Sequence, residues 1–268
     1  MKIKKLLTVA TLSLAVLGLA ACGSSSKGTT PASIKEKGKL VVATSPDYAP
    51  YEFQTLVDGK NKVVGSDMSL AKDIADELGV ELEISPMNFE NVLSTLQSGK
   101  ADLAMAGLSV TSEREAAFDF SDSYYEGKNA ILTKADASSS YSKLSDLDSK
   151  KVAVLKGSIE EGLAKEQLKK SNVVSLTSMG EAINELKSGQ VDAVVMEGPV
   201  ALGYVSQNKD LAQIKPSLEV KEGDAKAIAM KKGSSELKEA INKVITKAKK
   251  NGTYEKYIEE ASKLTVAE

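Results

Sequence analysis

Hydrophobic positions along this chain follow two periods in alternation. Short apolar-rich runs, "KLVVAT" at 39–44, "VELEIS" at 80–85, "KKVAVLKG" at 150–157 and "NVVSL" at 172–176, have the length and composition of strands. Between them the spacing lengthens. "MSLAKDIADELG" at 68–79 sets Leu70, Ile74 and Leu78 on one helix face with Gly79 as its stop, and "IEEGLAKEQLKK" predicts another helix from 159. One junction is written twice, as "LQSGKADLAMAG" at 96–107 and "LKSGQVDAVVMEG" at 186–198. Leu96, Ser98, Gly99 and Asp102 recur as Leu186, Ser188, Gly189 and Asp192, ninety residues on. Phe89, Val92, Leu93 and Leu96 share a helix face before the first copy, and Ala182, Ile183 and Leu186 do so before the second. Each copy therefore reads as a helix, a glycine stop and a short buried strand.

Both halves follow the order β-α-β-α-β, the pattern of a parallel open sheet. The fold class expected is α/β, with two lobes of similar design, each an open, mostly parallel sheet flanked by helices. Such sheets bind ligands beyond the carboxyl ends of their strands. Those ends are Ala106-Gly107-Leu108-Ser109 in the first copy and Met196-Glu197-Gly198 in the second. The repeat thus points to two rims facing one cleft.

The amino terminus is a separate object. Lys2, Lys4 and Lys5 precede an apolar run from Leu6 to Leu19, the layout of an export signal over residues 1–21. "LAAC" at 19–22 resembles the lipobox of bacterial lipoproteins, which makes Cys22 the expected lipidation site. "GSSSKGTTPAS" follows as a flexible tether over 22–33. No later stretch is apolar and long enough to span a bilayer, so a lipid on the extracytoplasmic face of the cell membrane is the expected anchor.

Composition narrows the chemistry. The chain has no histidine and one cysteine, which excludes His/Cys zinc sites and His-based triads. No cofactor or metal is expected, and no GxxxxGK[ST] phosphate loop is present. Loss of the three signal lysines takes the formal net charge from −2 to −5, which argues against nucleic acid as a partner.

Arg114 is the single arginine among 35 basic residues. A guanidinium grips a carboxylate through two parallel hydrogen bonds, which lysine cannot copy. It lies just past the first rim, near Gly107, Ser109 and Thr111, and is read as an anchor for a ligand carboxylate. Glu197 ends the other buried strand, where an acid needs a partner, and suits a ligand ammonium. Tyr48 and Phe89 fall on loops of the first rim, placed to stack on a ligand side chain or to fill the core. Lys156-Gly157-Ser158 opens a helix whose backbone N–H groups face an anion.

These residues lie in segments that together resemble the family 3 bacterial solute-binding proteins, the receptors of polar amino acid ABC importers. The segments are "GKLVVATSPDYAPYEF", "VGSDMSLAKDIADELGV", "LQSGKADLAMAGLSVTSERE", "FDFSDSYY", "KKVAVLKGS" and "VDAVVMEGPVA". The resemblance implies a two-lobed, periplasmic-binding-protein-like fold closing on an amino acid. Lobe one would comprise 34–124 plus 222–268 and lobe two 125–221, with links near 124–128 and 217–221. It implies that Tyr48 and Phe89 flank the ligand side chain. Ala106, Gly107, Ser109 and Arg114, helped by Ser158, would hold its carboxylate, and Glu197 its amine. Ser45, Glu52 and Ile159 complete the implied site. The partners implied are a free amino acid and membrane permease subunits, with the receptor itself a monomer.

Three departures bear on the ligand. Glu197 stands where the family usually has Asp, Ile159 where it often has Thr, and Ser45 where receptors for cationic ligands frequently have Asp. Against the last, Asp47, Glu52, Glu90, Glu160 and Glu161 crowd the rims. Arginine or lysine is the favoured ligand and glutamine or another neutral polar amino acid the alternative. Two other classes stay open: a dehydratase of cyclic carboxylic acids with Glu197 as general acid, and an adhesin or sensor.

Overall fold

The computed structural model describes residues 28–220 and 225–265. The expected signal and Cys22 lie outside the described residues. The folded body begins earlier than the sequence suggested. Thr30 caps helix α1 (Pro31–Lys37), its hydroxyl accepting from the Ser33 N–H at 3.2 Å, while Ile34 is fully buried. The Thr29 N–H donates to Ser234 Oγ at 2.8 Å. Residues 31–33, assigned to the tether, therefore belong to a packed helix.

The first lobe continues with β1 (Lys39–Thr44), β2 (Asp47–Tyr48), β3 (Glu52–Val57), β4 (Lys60–Val64) and α2 (Ser66–Leu78). It then adds β5 (Glu81–Pro86), α3 (Phe89–Gln97), β6 (Leu103–Ala104), α4 (Ser112–Ala117) and β7 (Phe118–Phe120). β8 (Tyr125–Glu126) leads across to the second lobe. That lobe holds β9 (Asn129–Lys134), β10 (Lys151–Leu155), α5 (Ile159–Gln167), β11 (Asn172–Leu176) and α6 (Met179–Ser188), then β12 (Ala193–Glu197), α7 (Gly198–Gln207) and β13 (Leu211–Gln213). β14 (Ala225–Lys226) returns antiparallel to β8, and β15 (Ala229–Lys231), α8 (Ser235–Asn251) and α9 (Thr253–Thr265) finish in the first lobe.

The two main sheets share one plan. Their orders are β5-β1-β6-β15-β7 and β11-β10-β12-β9-β13. In each, four of the five strands run parallel and the fourth in the order is reversed. The reversed strand always follows a link: β9 follows β8 and β15 follows β14. Each crossing thus delivers the fourth strand of the lobe it enters. The paired part of the second link, Ala225–Lys226, lies beyond the 217–221 stretch named from the resemblance. Leu218 still belongs to the second lobe, where it is buried and exchanges two 2.9 Å hydrogen bonds with the Asn129 side chain.

The repeated junction has a structural cause. Gly99 and Gly189 take φ of +75° and +76° past their helices, a conformation that strains any side chain. Asp102 Oδ2 accepts the Val41 N–H at 2.8 Å, and Asp192 Oδ2 accepts the Lys151 N–H at 2.9 Å. Each aspartate also donates its own backbone N–H back to the same strand, to Val41 O and Lys151 O, both at 2.8 Å. The motif ties the entering strand to the first strand of its sheet, at the end away from the rims. Asp102→Ala is expected to cost about 2 kcal/mol, a midpoint lower by about 4–8 °C. An unchanged midpoint in thermal unfolding would show that the bond contributes nothing.

Candidate ligand site between the lobes

Beyond the carboxyl ends of both sets of parallel strands lies a cavity with about 360 Å³ of space not filled by atoms, part of it open to solvent. Ser45, Tyr48, Glu52, Phe89, Ala106, Gly107, Ser109, Arg114, Ser158 and Ile159 all line it, joined by Asp47, Leu155, Glu160 and Lys226. Of the residues expected at the site from sequence, Glu197 alone is set behind this wall, reached through Lys226. Among the described residues no group of carboxylates or cysteines is placed to hold a metal ion.

The first-lobe wall is built on a buried carboxylate. Asp67, at the start of α2, is fully buried and accepts from Tyr254 Oη at 2.7 Å, Tyr124 Oη at 2.8 Å and the Gly107 N–H at 3.1 Å. Three donors fix its position, and with it the rim at Gly107. Glu52 is fully buried beside it. Burial, then the neighbouring Asp67 and Asp47 charges, hold the Glu52 carboxyl well above the usual carboxylate range. Tyr48 packs against Gly107, whose left-handed φ of +54° is a conformation that favours glycine.

Arg114 follows the Thr111 cap of α4, whose hydroxyl accepts the Arg114 N–H at 3.2 Å. Its guanidinium donates to Ser109 O at 2.8 Å and, across the cleft, to Gly157 O at 3.1 Å. It lies over the Phe89 ring, 5.9 Å from the centroid. The guanidinium is thus held by carbonyls and an aromatic face, and its neighbours in sequence, Glu113 and Glu115, do not orient it. Phe89 is half-buried and packs against the cores of both lobes while lining the cavity.

In the second lobe, Glu197 closes β12 and is 1% exposed. Its Oε1 lies 3.2 Å from Lys226 Nζ on β14, and its backbone N–H donates to Tyr48 Oη at 3.2 Å. Burial pushes the Glu197 carboxyl up to about 7, with Lys226 pulling the other way. A Cβ on Gly127 of the first link would fall 2.2 Å from Oε1, so that glycine makes room for the carboxylate. The Ser158 hydroxyl caps α5 by accepting the Glu161 N–H at 3.2 Å. Two backbone donors there are engaged within the protein: the Gly157 N–H donates to Glu161 Oε2 and the Ser158 N–H to Leu155 O.

The five rim acids separate by partner. Asp47 accepts from the Met179 N–H of α6 at 2.7 Å and from Ser45 Oγ at 3.1 Å. Glu90 pairs with Lys156 at 2.7 Å, and Glu161 with Lys165 and Ser175, each at 2.6 Å. Asp47–Met179 and Glu90–Lys156 join the lobes, so these acids hold the cleft shut. Glu52 and Glu160, which line the cavity, have no lysine or arginine paired to them among the described residues. Lys226 had no signal in sequence, because its stretch, "DAKAIAMKKG", reads as one lysine of several in a polar-to-apolar transition.

Known proteins resemble this chain over most of its length. The chain is 36% identical over 256 residues to the arginine-binding extracellular protein ArtP of Bacillus subtilis, covering 94% of this chain and 96% of that one. It is 32% identical over 270 residues to the glutamine-binding protein GlnH of the same organism, covering 94% and 95%. A crystal structure of an amino acid ABC transporter substrate-binding protein from Streptococcus pneumoniae, bound to L-arginine, superposes with a TM-score of 0.86 at 55% identity, covering 87% of this chain and 97% of the other. The profile of the bacterial extracellular solute-binding proteins, family 3, matches residues 40–261, and the chain belongs to that family.

Proposed function

We propose that this chain is the amino acid receptor of an ABC importer, taking arginine in preference to glutamine, held to the membrane through lipid on Cys22 and delivering its ligand to permease subunits. The observation that carries the reading is the charge layout of the cavity. Arg114 stands on one lobe and Glu197 behind the other, while Glu52 and Glu160 remain on the lining after the other rim acids are committed to protein partners. The ligand carboxylate goes to Arg114 and the Ser109 rim, its ammonium to the Glu197 side, and its aliphatic stem between Tyr48 and Phe89. A guanidinium then meets Glu160 and Glu52. Contact with both lobes favours the closed form by the difference in affinity between the two forms. The arginine-bound and arginine-binding relatives support this choice.

Thermal unfolding of the chain lacking residues 1–22, against the twenty amino acids singly, tests it. Ligand at about a thousand times its dissociation constant adds roughly 4 kcal/mol. The largest upward shift is expected with L-arginine. A larger shift with glutamine would reverse the preference, and none with any amino acid would overturn the ligand class. Turnover of a prephenate-like acid would establish the dehydratase reading in its place.

A further inference from the structure

Lys226 is the cavity residue that the amino acid reading leaves without a task. It sits on the returning link β14, is 3% exposed, and its Nζ reaches two groups. Ser109 Oγ of the first lobe lies at 2.7 Å and Glu197 Oε1 of the second at 3.2 Å. Besides this ion pair, the Tyr51 hydroxyl is the other polar group close enough to favour the ionised Glu197 carboxylate, and Lys226 carries the counter-charge. A buried charge stripped of its counter-charge is strongly disfavoured. The seat assigned above to a ligand ammonium is thus already next to an ammonium belonging to the protein, carried on the hinge.

We infer that Lys226 is a built-in stand-in for the ligand's α-ammonium: it neutralises Glu197 when no amino acid is bound, and it lets the cleft accept carboxylates that lack an α-ammonium. The inference rests on the amino acid site proposed above. A deaminated ligand entering a site without such a cation would close it over a bare Glu197. Here the Lys226 charge remains at Oε1, and the ligand carboxylate still meets Arg114 and the Ser109 rim. When a complete amino acid enters, its ammonium takes a share of Glu197. Lys226 then keeps Ser109 and faces the incoming carboxylate.

The test is a cycle between protein and ligand. Calorimetric titration gives dissociation constants of the wild type and of Lys226→Met for L-arginine and for 5-guanidinopentanoate, which is arginine without its α-ammonium. Removing the ammonium is expected to weaken binding at least about tenfold more in the variant than in the wild type. Equal losses in both proteins overturn the stand-in role. Lys226→Gln repeats the cycle should the methionine variant fail to fold. A ligand-free arm separates this from the receptor reading. In thermal unfolding, Lys226→Met and Glu197→Gln combined should lower the midpoint by less than their separate shifts added together. Additive shifts overturn the pairing whatever the ligand, whereas absence of amino acid binding by the wild type sinks the receptor reading.

Discussion

Arg114→Lys is expected to weaken arginine binding by about a hundredfold or more, although the charge is kept. The guanidinium donates two diverging bonds in this structure, to Ser109 O and to Gly157 O across the cleft, and lines the cavity. An ammonium cannot span both carbonyls and present a fork to a carboxylate as well. A charge-assisted hydrogen bond contributes about 1.5–3 kcal/mol, so the loss of one bidentate grip is about two decades in dissociation constant. The stacking on Phe89 is lost with it. Calorimetric titration measures this directly, and a dissociation constant within about threefold of wild type would remove Arg114 from the carboxylate anchor.

Arginine affinity is expected to fall as pH drops from 8 to 6, by about tenfold. The cause is Glu197, whose carboxyl is pushed up to about 7 by burial. Lys226, Glu160, Tyr51, Tyr48, Tyr125 and Glu52 are the titratable groups that interact with it. A ligand ammonium binds the ionised form, so below about 7 each binding event must first release a proton. Folding responds with the opposite sign. The unfolded chain loses this proton near its ordinary value of 4.5 and the folded chain near 7. Between the two, the folded form holds the extra proton, so ligand-free stability falls as pH rises through that window. Glu197→Gln should flatten both profiles while weakening arginine binding. A pH-dependence that survives this substitution would assign it to another group.

The strands and helices that carry the site were legible because each has a local signature. β1 and β11 have the bounds their apolar runs imply, and the helix faces of α2 and α6 bury the residues their spacing selects. The twofold junction was legible for a local reason too, since a left-handed glycine and an aspartate bonding the neighbouring strand need fixed spacing. Arg114 stood out through composition, and the rim position of Glu197 through the end of its strand. Short-range signals failed where contacts span the sequence. The reversed strands β9 and β15 and the short link strands carry little periodicity, being two to six residues long and paired with distant segments.

The same division separates the acids of the site. That five carboxylates crowd the rims is a property of the sequence, since each follows or opens a predicted element. Which of them faces a ligand depends on partners that come from far along the chain. Met179 reaches Asp47 across 132 residues, and Lys226 reaches Ser109 across 117. Sequence by itself determined the family, the two rims and the places of Arg114 and Glu197 beside them, because local backbone preference and strand ends place them. The closed pairing of the lobes decided which charges are spent on the protein and which remain for the ligand, because a buried charge is fixed by whatever counter-charge the fold brings within reach.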